Sequence, residues 1–211
     1  MKINQFNVFL EISDPLCKDL IKFSLKYKDK YNSFFVINGM DMFPHLSLYL
    51  FTTLSKNKQK VLNAAKEIAR KLKPFEAEIE KFIATESGLI MAEFKDSKTF
   101  RFAHEEVLKT FNPLRENTQR KKYMDLEYVK TLPTKDQTYL EKYGHKCVLD
   151  MYRPHLSISH IENPDDQKKV LKELTDNLAG AKTGITALKI IEDDYDTSNA
   201  KEIIFEQKLT S

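Results

Sequence analysis

Two short runs in the 211-residue chain carry side chains able to move protons: His45-Leu46-Ser47-Leu48 and His155-Leu156-Ser157-Ile158, each preceded by a proline. In an extended strand, residues i and i+2 project to the same side, so each run offers an imidazole and a hydroxyl together. Two such pairs facing one another suit phosphodiester chemistry. A neutral imidazole removes a proton from an attacking water or ribose hydroxyl, while a protonated one gives a proton to the leaving oxygen. Histidine titrates at about 6.5 when unperturbed, so it holds either state near neutrality. Each serine can donate to a non-bridging phosphoryl oxygen as charge builds there.

Nothing nearby supplies a metal set. There is no His-Glu-x-x-His run and no cysteine pair, and the nearest upstream carboxylates, Asp41 and Asp150, are expected at strand ends or turns. Neither a metal nor a cofactor is expected. Candidate substrate contacts are Tyr49, which shares the face of His45 and Ser47, and Tyr152 and Arg153 just before His155. A tyrosine ring can stack on a base or pack in the core, and an arginine can pair with phosphate. Arg120-Lys121-Lys122, with Tyr123 and Tyr128, reads as a solvated face more than as a guide for RNA. His104 and His145 lack a paired motif and are expected on the surface or in loops. His160, five residues after His155, is expected on the opposite face of its strand.

The elements that must position these groups follow from periodicity. A first strand spans Lys2 to Ile12, and Asp14-Pro15 opens a helix reaching about Tyr27. Residues 34–37 read as a short strand, and Pro44–Phe51 as the first motif strand, with Leu46, Leu48 and Leu50 on its apolar side. Ser55 is placed to cap a helix over about 57–72. Strands at Phe75–Ile83 and Leu89–Phe94 flank a turn at Gly88, and a helix over about 97–111 follows. The second motif strand, Pro154–Ile161, precedes a helix over about 165–178 and strands near Thr186–Ile191 and Glu202–Leu209. Lys60-Val61-Leu62 follows the first motif, and Lys169-Val170-Leu171 follows the second, at nearly the same interval. A strand, helix and two-strand unit has been used twice, over about 44–95 and 154–210, and the polar stretch at about 115–145 reads as an insertion. The expected class is α+β, one bilobal domain over 1–211 with two pseudo-symmetric antiparallel sheets, flanked by helices around a central cleft.

Composition narrows the function. Lys and Arg number 34 against 31 Asp and Glu, a net charge of +3, so any anion site must be local. Five glycines frame neither a dinucleotide-binding turn nor a P-loop. Cys17 and Cys147 read as buried, reduced thiols, and no apolar run is long enough for a membrane span, which makes a cytoplasmic compartment the default.

At its two His-x-Ser runs the chain resembles the two-histidine (2H) phosphoesterase superfamily, which includes bacterial 2′-5′ RNA ligase-like proteins and cyclic-nucleotide phosphodiesterases. The signature is His-x-Ser/Thr followed by a hydrophobic residue on a strand of each lobe, matched by His45-Leu46-Ser47-Leu48 and His155-Leu156-Ser157-Ile158. The resemblance implies a bilobal fold and metal-free hydrolysis or transesterification of 2′-linked or 2′,3′-cyclic phosphates. Catalysis would fall to His45, Ser47, His155 and Ser157, the substrate would be a nucleotide or an RNA end, and the chain is expected to be a monomer. The competing reading is a catalytically silent RNA- or nucleotide-binding module of the same fold.

Overall fold

The computed structural model describes residues 2–31, 33–40, 42–196 and 200–210. In chain order the elements are β1 (Ile3–Ile12), α1 (Asp14–Tyr31), β2 (His45–Leu54), α2 (Lys58–Lys71), β3 (Phe75–Ala84), β4 (Leu89–Phe94), α3 (Lys98–Phe111), α4 (Leu126–Lys130), α5 (Thr134–Tyr143), β5 (His155–His160), α6 (Pro164–Leu178), β6 (Lys182–Asp193) and β7 (Ala200–Lys208). All strand pairings are antiparallel, in the order β2-β1-β6-β3-β4-β5 with β7 also on β6. The path has two halves, β2-β1-β6-β7 and β3-β4-β5, joined where Phe75–Glu78 of β3 pairs with Lys182–Ile185 of β6.

The pairings carry the internal correspondence upstream of the motif strands. Glu11 of β1 stands opposite His45 and Phe9 opposite Ser47, just as Glu93 of β4 stands opposite His155 and Met91 opposite Ser157. β1-α1-β2-α2-β3 therefore answers to β4-α3-β5-α6-β6, and the third strand of each unit pairs into the other half. The helices cross over too: α1 packs on β5, and α3 packs on β2. Chain 32–44 joins α1 to β2, whereas the matching connection from α3 to β5 is the much longer 112–154, which holds α4, α5 and several 3-10 turns.

Helix faces follow the apolar spacing. α2 buries Val61, Ala65, Ile68 and Ala69, α3 buries Phe100, Ala103, Val107, Leu108 and Phe111, and α6 buries Val170, Leu174 and Leu178. Burying the Val, Ile, Leu and Phe side chains among these stabilises the fold by about 1.5–3 kcal/mol each, and the alanines contribute less. Gly88 has φ +88°, and a Cβ there would meet the Ile161 carbonyl at 2.6 Å, so glycine is required at this turn.

Three local expectations change. Residues 34–37 form no strand beyond a single bridge from Val36 to Ser159. Ser55 does not cap α2; a 3-10 turn, Ser55–Asn57, intervenes, and the Ser55 hydroxyl bonds the Lys2 carbonyl and Asn4 instead. Neither cysteine is buried: Cys17 is half-buried and Cys147 exposed.

Candidate active site

Each motif orients its own histidine. The Nδ1 of His45 lies 2.9 Å from the Phe43 carbonyl, and the Nδ1 of His155 lies 2.8 Å from the Arg153 carbonyl, in both cases two residues upstream across a proline. Proline holds the preceding residue extended, which aims that carbonyl back at the ring. The carbonyl accepts only from a protonated Nδ1, so in the neutral ring Nε2 carries the free lone pair. Edge strands β2 and β5 approach each other, and a cavity of about 210 Å³ is lined by His45 from one half and Ser157 from the other. The pair Glu11–Lys189 (2.6 Å) and the pair Glu93–Lys81 (3.1 Å) tie down the carboxylates opposite the two histidines.

A β-bulge follows each motif at the same place. Leu48 is the extra residue in β2 and Ile158 in β5. A bulge reverses the alternation beyond it. Leu46, Leu48, Tyr49 and Phe51 are all buried, and Leu50, not Tyr49, shares the cavity with His45. Tyr49 is therefore no base platform: its ring stacks on Phe51 at 5.3 Å, and its hydroxyl donates to the Tyr143 carbonyl. His160 comes back to the face of His155, where it contacts Phe34 and the Ser87 carbonyl.

Other candidates move as well. Tyr152 is 3% exposed and stacks on His104 at 4.1 Å, so it presents no face to a ligand. Arg153 is exposed and donates to the carbonyls of Asp150 and Tyr152; its side chain lines a separate surface pocket, and it serves His155 through its own carbonyl. Asp150 sits in a 3-10 turn held by Lys135 and Tyr139, while Asp41 lies outside the described residues. Among the described residues no three His, Cys, Asp or Glu side chains are placed to share a metal ion. Nor is any helix among them long and apolar enough to cross a membrane.

His104 is a fully buried core residue, not a surface one. Its Nδ1 donates to the Leu48 carbonyl (2.8 Å), and its Nε2 accepts from the Leu149 N–H (2.8 Å). Ser24 of α1 does the same in the other half: its hydroxyl donates to the Ile158 carbonyl (2.6 Å) and accepts from the Ile37 N–H (2.9 Å). Each bulge carbonyl is thus held by a helix side chain that also grips the loop entering a motif strand. Sequence alone hid this because neither residue lies near a motif.

Groups from distant segments complete the cavity. Asn7 donates to the Ser47 hydroxyl at 3.0 Å, which leaves the serine proton free for a phosphoryl oxygen, and its amide lies 3.4 Å from His45 Nε2. Gln5, Asp193 and Arg120 line the same space, and Arg120 Nε donates to Gln5 at 3.2 Å. Arg120 is therefore buried against the cavity and is no part of a solvated face. The signal for Gln5 and Asn7 was present: polar residues at alternate positions, hence on one face, of β1. Burial lowers the His45 pKa below the ordinary value, the Phe43 carbonyl partly offsets that, and the charge of His155 lowers it further. Burial pushes Asp193 up to about 6, against the pull of Gln5 and Arg120.

Two halves, each with a His-x-Ser strand, whose motif strands approach each other where His45 and Ser157 line one cavity, have the arrangement of a paired-histidine phosphoesterase-type protein. The profile of the 2′-5′ RNA ligase superfamily matches residues 32–197, and the chain belongs to that superfamily. No curated protein matches it by sequence. Among solved structures, TT0787 of Thermus thermophilus is similar in fold, with 12% identity, 97% of both chains covered and a TM-score of 0.60. E. coli LigT is also similar in fold, with both chains covered fully; it was solved with phosphate (10% identity, TM-score 0.55) and with 3′-AMP (8%, 0.57).

Proposed function

We propose that the chain is a metal-independent phosphodiesterase acting on 2′,3′-cyclic phosphates or 2′-5′ linkages of nucleotides or RNA ends. The observation that carries this reading is the matched pair of carbonyl-anchored imidazoles, each two residues before a serine, on strands that approach each other with His45 and Ser157 lining one cavity. His45, kept neutral by burial, takes the proton from the attacking water or hydroxyl through Nε2. The oxygen forms its bond to phosphorus as the bond to the leaving ribose oxygen breaks, and His155, protonated, supplies that oxygen with a proton. Ser47 and Ser157 donate to the non-bridging oxygens, where charge increases. The binding of phosphate and 3′-AMP by LigT accords with a nucleotide substrate here.

The test is a panel of 2′,3′-cyclic mononucleotides, 2′-5′ oligoadenylate and RNA ending in a cyclic phosphate, assayed with and without EDTA, with products resolved as 2′- or 3′-phosphates. Turnover of one class that survives EDTA and is lost in both histidine variants supports the reading. Binding without turnover of any member makes the chain a silent nucleotide-binding module. Loss with EDTA and recovery with Mg²⁺, Mn²⁺ or Zn²⁺ recasts the histidines as ligands.

A further inference from the structure

One wall of the cavity holds two opposite charges that do not meet. Gln5, Arg120 and Asp193 all line it, and none is more than 9% exposed. Gln5 of β1 stands opposite Asp193 of β6, and Arg120 reaches them from the long connection between α3 and β5. The Gln5 amide lies between the charges: its oxygen accepts from Arg120 Nε at 3.2 Å, and its nitrogen donates to Asp193 Oδ2 at 3.4 Å. Neither Arg120 nor Asp193 makes an ion pair among the described residues. Tyr123 rests against the guanidinium, with Arg120 Cζ 5.8 Å from its ring centroid.

A buried carboxylate and guanidinium separated by an amide bear the cost of desolvation without the attraction that direct pairing returns. Such a pair is matched to a ligand that supplies what each lacks. An anion at this wall would be repelled by Asp193 and a cation by Arg120, so the group that fits is neutral and carries donors and acceptors together. Phe9, Phe43 and Met42 line the same cavity of about 210 Å³, with the two rings 5.4 Å apart. Aromatic and apolar walls favour a flat ring over a sugar. A nucleobase meets both conditions. Of the four common bases, guanine alone has two adjacent N–H donors, at N1 and N2, for one carboxylate, beside the O6 and N7 acceptors that suit a guanidinium. Adenine and cytosine offer the carboxylate a single exocyclic amine, and uracil a single ring N–H.

The position accords with this. Gln5 and Asn7 share one face of β1, about 7 Å apart along the strand, and Asn7 reaches Ser47 and His45. A base held at Gln5, Arg120 and Asp193 sends its ribose toward the histidines. We propose, on the footing of the paired-histidine reading, that Asp193 and Arg120, held apart by Gln5, read the edge of a guanine, which makes the preferred substrate a guanosine 2′,3′-cyclic phosphate or 2′-linked guanosine.

The experiment compares the 2′,3′-cyclic phosphates of guanosine, inosine, xanthosine, adenosine, cytidine and uridine at about pH 8, where the Asp193 carboxyl, raised to about 6 by burial, is ionised. Guanosine should exceed adenosine, cytidine and uridine in kcat/KM by roughly tenfold or more. Inosine, which lacks only the N2 amine, should lie roughly threefold to tenfold below guanosine. Xanthosine, which turns a C2 carbonyl toward Asp193, should be the poorest purine. Asp193→Asn offers an amide N–H to that carbonyl and should favour xanthosine over guanosine, a reversal that lost packing would not produce. Equal or higher kcat/KM for adenosine, cytidine or uridine overturns the proposal, and so does a folded Asp193→Asn that keeps the parent order. Inosine turned over as fast as guanosine also overturns it, a comparison that needs no variant. If no member turns over, calorimetry with the 2′-phosphates of guanosine, inosine and adenosine decides it separately. Tightest binding of the guanosine nucleotide, with inosine weaker, upholds the base site even though the enzymatic reading has failed, and equal binding or none rejects it.

Discussion

The two halves of the site share a frame and differ in what fills it. Both have the proline, the carbonyl-anchored imidazole, the bulge after the serine, and a cross-strand glutamate tied by a lysine. Around His45 stand Phe9 (5.0 Å), Phe43 (5.8 Å) and Asn7; the matching positions around His155 hold Met91, Arg153 and Leu89. Backbone geometry is thus duplicated, while the side chains around the two imidazoles are not. A symmetric fold can in this way give two identical side chains opposite roles.

The strongest test removes one imidazole at a time. His45→Ala and His155→Ala should each lower kcat by on the order of 10²-fold or more, with circular dichroism unchanged. If only one variant loses activity, paired acid–base catalysis is wrong and the comparison between the halves loses its meaning.

Next is the pair that braces the bulges. His104→Ala leaves the buried Leu48 carbonyl and Leu149 N–H without partners and opens space against Tyr152, so it should destabilise the protein by about 3–5 kcal/mol in denaturant titrations. Ser24→Ala, a smaller deletion at the equivalent point, should cost about 1–3 kcal/mol. The halves should also differ in acid. His104 has a pKa of about 4 in the folded state, through burial, against about 6.5 unfolded. Its contribution is complete above 6.5 and lost as pH falls from 6.5 to 4, on the order of 3 kcal/mol, whereas Ser24 does not titrate. His104→Asn, followed across that window, should show a shallower acid loss than the parent; an equal loss would assign the effect elsewhere.

Ser47→Ala and Ser157→Ala should each slow kcat by roughly tenfold, less than the histidine variants. Asn7→Leu makes the first half resemble the second and should act through Ser47. Asn7→Leu combined with Ser47→Ala should then be no slower than Ser47→Ala alone, and full additivity in the cycle would separate the two residues.

The smallest effect expected is a displaced pH limb. With His45 as base and its pKa lowered, the lone pair remains available as pH drops, and the ascending limb of kcat/KM lies below 6.5. An ascending limb above 6.5 would interchange the two roles.

The candidate groups were legible because they are local. An imidazole and a hydroxyl two residues apart, with a proline before them, carry their own orientation wherever the strand pairs, and repetition of the run marked both halves. Helices α2, α3 and α6 were legible for the same reason, since their apolar spacing lies within one stretch of chain. The bulges at Leu48 and Ile158 were not. They depend on a partner strand, and a one-residue slip sent Tyr49 into the core and brought Leu50 to the cavity. The braces at Ser24 and His104 depend on each helix packing on the other half, which periodicity does not report. Sequence by itself marked the candidate proton-transfer groups and showed that they come in two matching sets. Only the tertiary structure decided that their surroundings differ, because the contacts of His45 with Phe9 and Asn7, and the approach of Arg120 to its cavity from a distant connection, arise from long-range packing.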